Sequence, residues 1–349
     1  MPQLMIYGAK ALALGACRAV QSLYPECLVK GFAVKSLNNN PDTLAGLPVQ
    51  ELLDVKEKEI PILIAAPEDV HGEIVRDLRA NGFFHYICMD SKLEAKLMER
   101  YFKNMGLFSS IHSMPMGETV KKLNVYMAKS EKDRPLKNTY NMPKWIHPLW
   151  VGSALNQEIK QGDRDDIGEN ISEKNGNYCE LTALYWIWKN RVQDADYLGL
   201  CHYRRVLNIT EEDCMRLGEN DIDVVLPWPT LHEPDILEHH SRYVKESDWN
   251  AMCQALMELY PEYAKRFPEI LAQPYFYNYN ILIAKRDVFV DYSKWLFPIL
   301  ERTEELSIPK GSERSDRYIG YLGENLLTLY FMYHKKDLKI VHAGRNMLI

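Results

Sequence analysis

Two adjacent arginines, Arg204 and Arg205, close the apolar run 197–201 (YLGLC) and follow directly on His202 and Tyr203. Paired guanidinium groups at a strand end can grip phosphate oxygens bidentately, which the point charge of lysine reproduces poorly. Most Arg-Arg pairs meet surface carboxylates, but the apolar strand and its His-Tyr step favour an anion site here. Ahead of the cluster lies a polar loop, 170–175 (NISEKN), then Tyr178 and Glu180 at the start of an apolar helix. Ligands of open α/β sheets bind beyond the carboxyl ends of strands. That rule gathers Asn170, Ser172, Asn175, His202, Tyr203, Arg204 and Arg205 around one expected phosphate site.

The elements that must position these residues alternate between strand and helix. Strands are expected at 123–128, 197–201, 223–226, 280–284 and 339–341, and helices at 178–189, 288–300 and 321–333. In the first helix Leu181, Leu184, Tyr185 and Trp188 recur at helical spacing. Trp186 and Trp188 read as core, Trp186 in part as a sugar platform. Residues 1–105 have their own rhythm, with strands at 4–7, 29–34, 62–66 and 86–89 and helices at 11–23 and 70–81. Strands separated by helices imply a parallel sheet with right-handed crossovers, here a small Rossmann-like domain. Its first turn reads Gly8-Ala9-Lys10-Ala11-Leu12-Ala13, with lysine at the second glycine of a dinucleotide fingerprint and no acidic residue after Val34-Lys35. The expectation is a domain that binds neither NAD nor FAD and serves a structural or partner-binding role, homo-oligomerisation included. Residues 106–120 (GLFSSIHSMPMGETV) lose all periodicity and read as an exposed connection between two separately packed domains, 1–105 and 121–349.

Composition narrows the classes. At 349 residues, 46% apolar and 26% charged, the chain reads as globular, and its formal net charge of −6 argues against nucleic-acid binding. The start MPQLMIYGAK lacks the features of a signal peptide, and no run of about 18 apolar residues occurs. Seven scattered cysteines with no C-x-x-C spacing fit reduced thiols. The expected setting is cytoplasmic, with peripheral contact at the inner face of a membrane left open.

Several segments together resemble the DUF4422 family of bacterial glycosyltransferases of capsule and O-antigen synthesis. They are LNVYMAKSEKDRPL, WVGSALNQ, DDIGENISEKNGNYCELTALYWIWKN, DYLGLCHYRRVL, DIDVVLP, NYNILIAKRDVFVDYSKWLFPIL and RYIGYLGENLL, spread over residues 122–333. A second resemblance, over the first hundred residues, is to the N-terminal domain of sugar O-acyltransferases, through IYGA, GFAVKS…LAGLPV and ILIAAPEDVHGEIVRDLRANGF. The first resemblance implies a GT-A-like nucleotide-sugar fold and an enzyme that moves a hexose, galactose being one candidate, from a nucleotide diphosphate donor such as a UDP-sugar. A glycan or lipid-linked acceptor goes with that reading. Two departures matter. The family's first strand usually ends in Thr-His-Lys, but here in Ala128-Lys129-Ser130, so Lys129 alone carries over as a donor contact. The later strand shows Asn278-Tyr279-Asn280, with Asn280 taken as the donor contact.

Many GT-A-like enzymes hold a divalent cation between the donor phosphates with an Asp-x-Asp. His202-Tyr203-Arg204-Arg205 stands at that place, and guanidinium groups can neutralise a departing diphosphate as a metal would. No metal ligand is therefore assigned, although Asp163–Asp166 and Asp221–Asp223 are oxygen-rich and leave Mg²⁺ or Mn²⁺ as a possible cofactor. Inverting transfer needs a carboxylate base. Glu324, in Gly320-Tyr321-Leu322-Gly323-Glu324, is the first candidate, read as lying at a helix start behind two glycines that admit substrate. Glu180 and Asp223 are the others. His342 reads as a structural residue or a late phosphate contact. Two rival classes remain: a non-catalytic nucleotide-sugar-binding or assembly protein, which would show no turnover, and an NAD-linked enzyme, against which Lys10 counts.

Overall fold

A computed structural model describes residues 1–156 and 161–349, so Gln157, the last residue of WVGSALNQ, lies outside the described residues. The chain begins β1 (Gln3–Tyr7), α1 (Ala11–Leu23), β2 (Leu28–Val34), β3 (Thr43–Leu44), β4 (Leu47–Glu51), β5 (Ile62–Ile64), α2 (His71–Ala80), β6 (Tyr86–Cys88) and α3 (Ser91–Asn104). Strands lie in the order β3-β4-β2-β1-β5-β6, all parallel except β3. The chain reverses its direction of travel across the sheet at β1, which is the Rossmann-like arrangement. Ile6, Phe32, Ile62 and Ile64 are fully buried, so the apolar strands meet helices on both faces. Gly8 is required at the β1–α1 turn: its φ is +120°, and a Cβ would fall 2.6 Å from the Ala65 carbonyl oxygen.

Beyond residue 122 follow β7 (Leu123–Lys129), β8 (Ile146–Trp150), β9 (Asp163–Arg164), α4 (Asn175–Tyr178), α5 (Leu181–Asn190), β10 (Tyr197–His202), β11 (Arg205–Leu207), α6 (Glu211–Glu219), β12 (Val224–Pro227) and β13 (Thr230–Leu231). The chain continues with α7 (Ile236–Tyr243), α8 (Glu246–Leu259), α9 (Pro261–Leu271), β14 (Tyr275–Phe276), β15 (Leu282–Lys285), α10 (Arg286–Leu306), α11 (Tyr318–Tyr333), β16 (Ile340–Ala343) and β17 (Arg345–Met347). The main sheet runs β16-β12-β15-β10-β7-β8-β9, with β11 and β17 as a ribbon beside β10. Only β15 opposes its neighbours in that path, pairing antiparallel with β10 and β12. This mixed sheet, flanked by α5 and α10 on one face, is a GT-A-like α/β domain. No helix among the described residues is long and apolar enough to cross a membrane.

The expected helix 178–189 is broken in two. Between α4 and α5 Cys179 takes φ +51° and ψ −129°, and Asn175 Nδ2 donates to its carbonyl oxygen at 2.8 Å. Periodicity cannot reveal that step, because a cysteine carries no turn signal.

The two domains are not packed separately. Trp228 and Leu231 of the second belong to the first domain's core beside Ala13, Leu14, Met98 and Phe102, and Trp228 stacks on Phe102 at 5.4 Å. The connection 106–120 is also less exposed than expected: Ile111 is fully buried, and Ser110 bonds to Glu99 and bridges to His342. Its end, from Glu118 onward, is exposed. The apolar residues within the segment were the missed signal; their lack of period hid that they still pack.

Candidate active site

A cleft of about 480 Å³ opens at the carboxyl ends of β7 and β10. Its walls come from Ala128, Ser130, Lys132 and Asp133 at and after the end of β7, from Asn175, Gly176, Cys179 and Glu180 at the α4–α5 step, from His202–Arg205, and from Ser315 and Arg317 ahead of α11. A second cavity of about 590 Å³ adjoins it through Ser130, Asp133 and Tyr203, and adds Leu136, Tyr140, Met142 and Trp150. Strand direction explains the gathering. β10 delivers His202 at its carboxyl end, and antiparallel β15 begins at the same edge; Leu200 pairs with Leu282, which sets Asn280 opposite His202.

The cluster below the cleft is built on two carboxylates. Glu180 Oε1 accepts from Asn280 Nδ2 at 2.6 Å and lies 3.9 Å from His202 Nε2. His202 Nε2 and Asn280 Oδ1 are buried, and neither has a hydrogen-bond partner in the protein. Buried polar atoms left so are costly, and a ligand can satisfy them. Burial holds the His202 imidazole below its ordinary value, with Arg205 and Arg317 adding to the effect against the opposing charge of Glu180. Glu324 sits one layer deeper. It is buried, in the second turn of α11 rather than at its start, and its Oε1 accepts the Tyr279 N–H at 2.9 Å. Burial first, and then the charge of Glu180, push its carboxyl up to about 8. The two glycines do not admit substrate: a Cβ on Gly320 would meet Cys179 Sγ at 3.2 Å, and one on Gly323 would meet Leu181 at 2.7 Å. They let α11 close on the α4–α5 step, so Glu180 and not Glu324 lines the cleft.

The arginines divide. Arg205 stands 4.3 Å over the Tyr279 ring, whose other neighbour is Arg345 at 4.8 Å. Arg204 lines the cleft as well, but its Nη2 donates to Asp69 Oδ2 of the first domain at 2.9 Å and its Nε to the Leu348 carbonyl at 3.4 Å. Tyr203 faces both cavities, and Lys129 points into the second, 4.6 Å over Trp150. Asn175 lines the cleft beside Gly176.

Asn170 and Ser172 do not line the cleft. Asn170 folds back on its own loop, donating to the Asp166 and Gly168 carbonyls. Ser172 is fully buried and donates to Asp165 Oδ1 at 2.5 Å. Asp165, which the sequence offers only as part of the oxygen-rich run Asp163–Asp166, is the hub: it also accepts from Gly152 N, Ser153 N and Thr182 Oγ1 at 2.9, 3.1 and 2.7 Å. Thr182 Oγ1 in turn accepts from Asn175 Nδ2 at 3.1 Å. The polar run 170–175 is thus a staple that fixes the cleft wall. Trp186 is likewise buried, donating to the Ile167 carbonyl, and is no sugar platform.

Asp223 lies elsewhere. It precedes β12, which runs parallel to β10, so it sits at the opposite edge of the sheet, accepting from Lys285 Nζ and Lys339 N at 2.8 Å each. Asp163 pairs with Arg191, Asp166 with Arg164 and Asp221 with Lys285. No group of three or more His, Cys, Asp or Glu side chains among the described residues could hold a metal ion. The donor set at the cleft, three arginines with Glu180 and Asp133, does not match an Mg²⁺ or Mn²⁺ cage. His342 is buried between Tyr277 and Trp228, and its Nε2 meets the Tyr277 hydroxyl at 2.8 Å, a structural role.

Two cleft groups, Asp133 and Arg317, escape the sequence reasoning, as does Tyr279 beneath Arg205. Asp133 accepts the Ser130 N–H at 2.6 Å, and burial raises its carboxyl despite Lys129, Arg317 and Arg204 nearby. Arg317 takes φ +67° and donates to Cys179 Sγ at 3.3 Å. Tyr279 takes φ +71°. The charged run Arg314-Ser315-Asp316-Arg317 before a helix was the one available signal.

No match was found among curated proteins. Among solved structures, one titled as the apo form of the bifunctional glycosyltransferase WbbM is 30% identical, with a TM-score of 0.56 over 65% of this chain and 45% of that one. The chain therefore spans less than half of that relative's length. A 3-ketoreductase from Actinomadura kijaniata (14% identity, TM-score 0.20, 38% and 48% of the two chains) and a core-mannan synthase from Aspergillus fumigatus (10%, 0.24, 99% and 74%) superpose too poorly to carry any argument. A family described as a domain of unknown function, DUF4422, matches residues 135–336, well over half of the sequence, and the chain belongs to the DUF4422 family.

Proposed function

We propose that this protein is a glycosyltransferase that moves a hexose from a nucleoside diphosphate donor, a UDP-sugar, to a hydroxyl of a glycan or lipid-linked acceptor. The observation that carries the reading is the open cleft over a cationic strand end, with the unpartnered His202 Nε2 in its wall and the unpartnered Asn280 Oδ1 behind Glu180. The 30% identical relative titled a glycosyltransferase supports it. Such an enzyme would work in the cytoplasm, at the inner membrane face where a lipid-linked acceptor is presented, and galactose is the sugar to test first.

In the proposed reaction the bond between the anomeric carbon and the donor phosphate oxygen breaks, and the acceptor oxygen bonds to that carbon. The acceptor proton passes to the Glu180 carboxylate, which reaches the cleft where Glu324 does not. The diphosphate leaves with its charge against Arg204, Arg205 and Arg317, fixed cations of the cleft wall that need no reorganisation as charge develops. Tyr203, Lys129 and Trp150 shape the adjoining cavity for the nucleoside. Donor neutralisation falls to guanidinium groups, and no step is routed through a metal.

A thermal-shift screen of UDP, GDP, ADP and their sugars tests the donor class, since a ligand of the native state raises the midpoint. UDP should stabilise the protein, and UDP release should depend on acceptor. Midpoints that respond to no nucleotide would refute the reading.

A further inference from the structure

The first domain presents to the second the surface where a Rossmann-like sheet receives its ligand. Ala11, Leu12, Gly15 and Ala16 of α1 face Trp228–Leu231, and Ala66–Glu68 after β5 face Tyr279 and Arg345. The spaces left between them measure only about 20 and 70 Å³. Pockets for small molecules run to roughly 300–1,000 Å³, so the crevice is filled by protein. What crosses this interface is charge. Asp69, in the turn between β5 and α2, holds the Arg204 guanidinium at 2.9 Å, both side chains mostly shielded. Glu94 of α3 meets Arg345 Nη2 at 3.3 Å, and Arg345 and Arg205 together bracket the Tyr279 ring. Burial alone would raise the Asp69 carboxyl, yet the Arg204 bond and charge, with the charge of Arg205, hold it below its ordinary value.

We propose that the first domain is a positioning element for the cleft, with Asp69 as a positioning residue that aims Arg204 at the donor diphosphate. This rests on the donor reading above. Arg204 spends Nη2 and Nε on Asp69 and the Leu348 carbonyl, which fixes the plane of its guanidinium. A long side chain held so loses less freedom on binding a phosphate than one that must first be ordered. An interdomain clamp with no such role would need an arginine somewhere along the boundary, but not on the cleft wall.

The test measures UDP affinity by calorimetry in the full chain for wild type, Asp69→Asn, Asp69→Glu, Arg204→Ala and the double variant Asp69→Asn/Arg204→Ala, each with a melting curve. Asp69→Asn should weaken UDP about five- to thirty-fold, and Asp69→Glu should recover most of that loss. In the Arg204→Ala background, Asp69→Asn should cost UDP binding nothing further, because the effect acts through Arg204. Equal UDP affinity in wild type and Asp69→Asn, or a full additive loss in the double variant, overturns the proposal while leaving the donor reading standing. A wild-type protein that binds none of UDP, GDP and ADP overturns both.

Discussion

Replacing Glu324 by glutamine isolates one charge at the centre of the site. The carboxyl is pushed from 4.5 up to about 8 by burial and by Glu180, against the Tyr279 N–H, Arg205 and Arg317. Because the folded value is the higher one, Glu324 contributes stability in full below its unfolded value near 4.5. That contribution is lost as pH rises through about 8. A rise of about 3.5 at ~1.4 kcal/mol per pH unit sets a ceiling of ~5 kcal/mol on the effect. The glutamine side chain keeps an acceptor for the Tyr279 N–H and removes the titration. Melting midpoints of wild type and Glu324→Gln, taken from pH 5 to 9 without ligand, should therefore diverge. Wild type should lose stability relative to the variant across that window by ~3–5 kcal/mol, about 5–10 °C. UDP affinity should follow the same course: above pH 8 a second negative charge beside Glu180 repels the diphosphate in wild type but not in the variant. Parallel midpoint curves would show Glu324 ionised throughout, and the argument from burial would fail.

Arg205→Ala should weaken UDP roughly ten- to a hundred-fold by calorimetry, the worth of a charge-assisted contact, and Arg205→Lys should restore little because the fork is lost. Asp165→Ala strips four donors of a buried acceptor and should cost at least ~3 kcal/mol in urea unfolding, with the α4–α5 step loosened. Limited proteolysis should cut the exposed stretch 118–122, but the two fragments should co-elute on gel filtration, and Trp228→Ala should make them separate.

Strand direction decides which site residues the sequence could show. Arg204 and Arg205 follow β10, so the carboxyl-edge rule places them correctly. Asp223 precedes a strand parallel to β10, and the same rule applied to its side of β12 would have excluded it. Asn280 precedes its strand too, yet it joins the site because β15 runs antiparallel to β10 and β12, and that reversal leaves no mark on a short apolar run. The centre of the first sheet is legible for a simpler reason: β1, β5 and β6 each lead into a helix, and α1 falls at 11–23 as the periodicity predicts, whereas β3 and β4, joined to β2 without a helix, are not. α3, α8 and α9 were not read, their apolar stripes being interrupted by charges or, in α9, by Pro268. In sequence the polar loop 170–175 looks ligand-facing because side chains suited to phosphate are also suited to stapling turns, and only the buried Asp165 distinguishes the two uses.

Backbone strain converges on the same place. Cys179, Tyr279, Asn280 and Arg317 all take positive φ, between +48° and +71°, and all four stand at or directly beneath the cleft. Glycine would adopt these conformations without cost. None stands there because each side chain is in use: Cys179 receives Arg317, Asn280 binds Glu180, and Tyr279 lies between Arg205 and Arg345. Such conformations cost on the order of 1 kcal/mol or more each and persist only where the surroundings over-determine them. Here the surroundings are Glu324 on the Tyr279 N–H, the Asp165 staple behind Asn175, and the two glycines that draw α11 in. The fold therefore holds its cationic strand end and its unpartnered polar atoms in a fixed array before any ligand arrives, the preorganisation that the proposed transfer requires as charge develops on its leaving group.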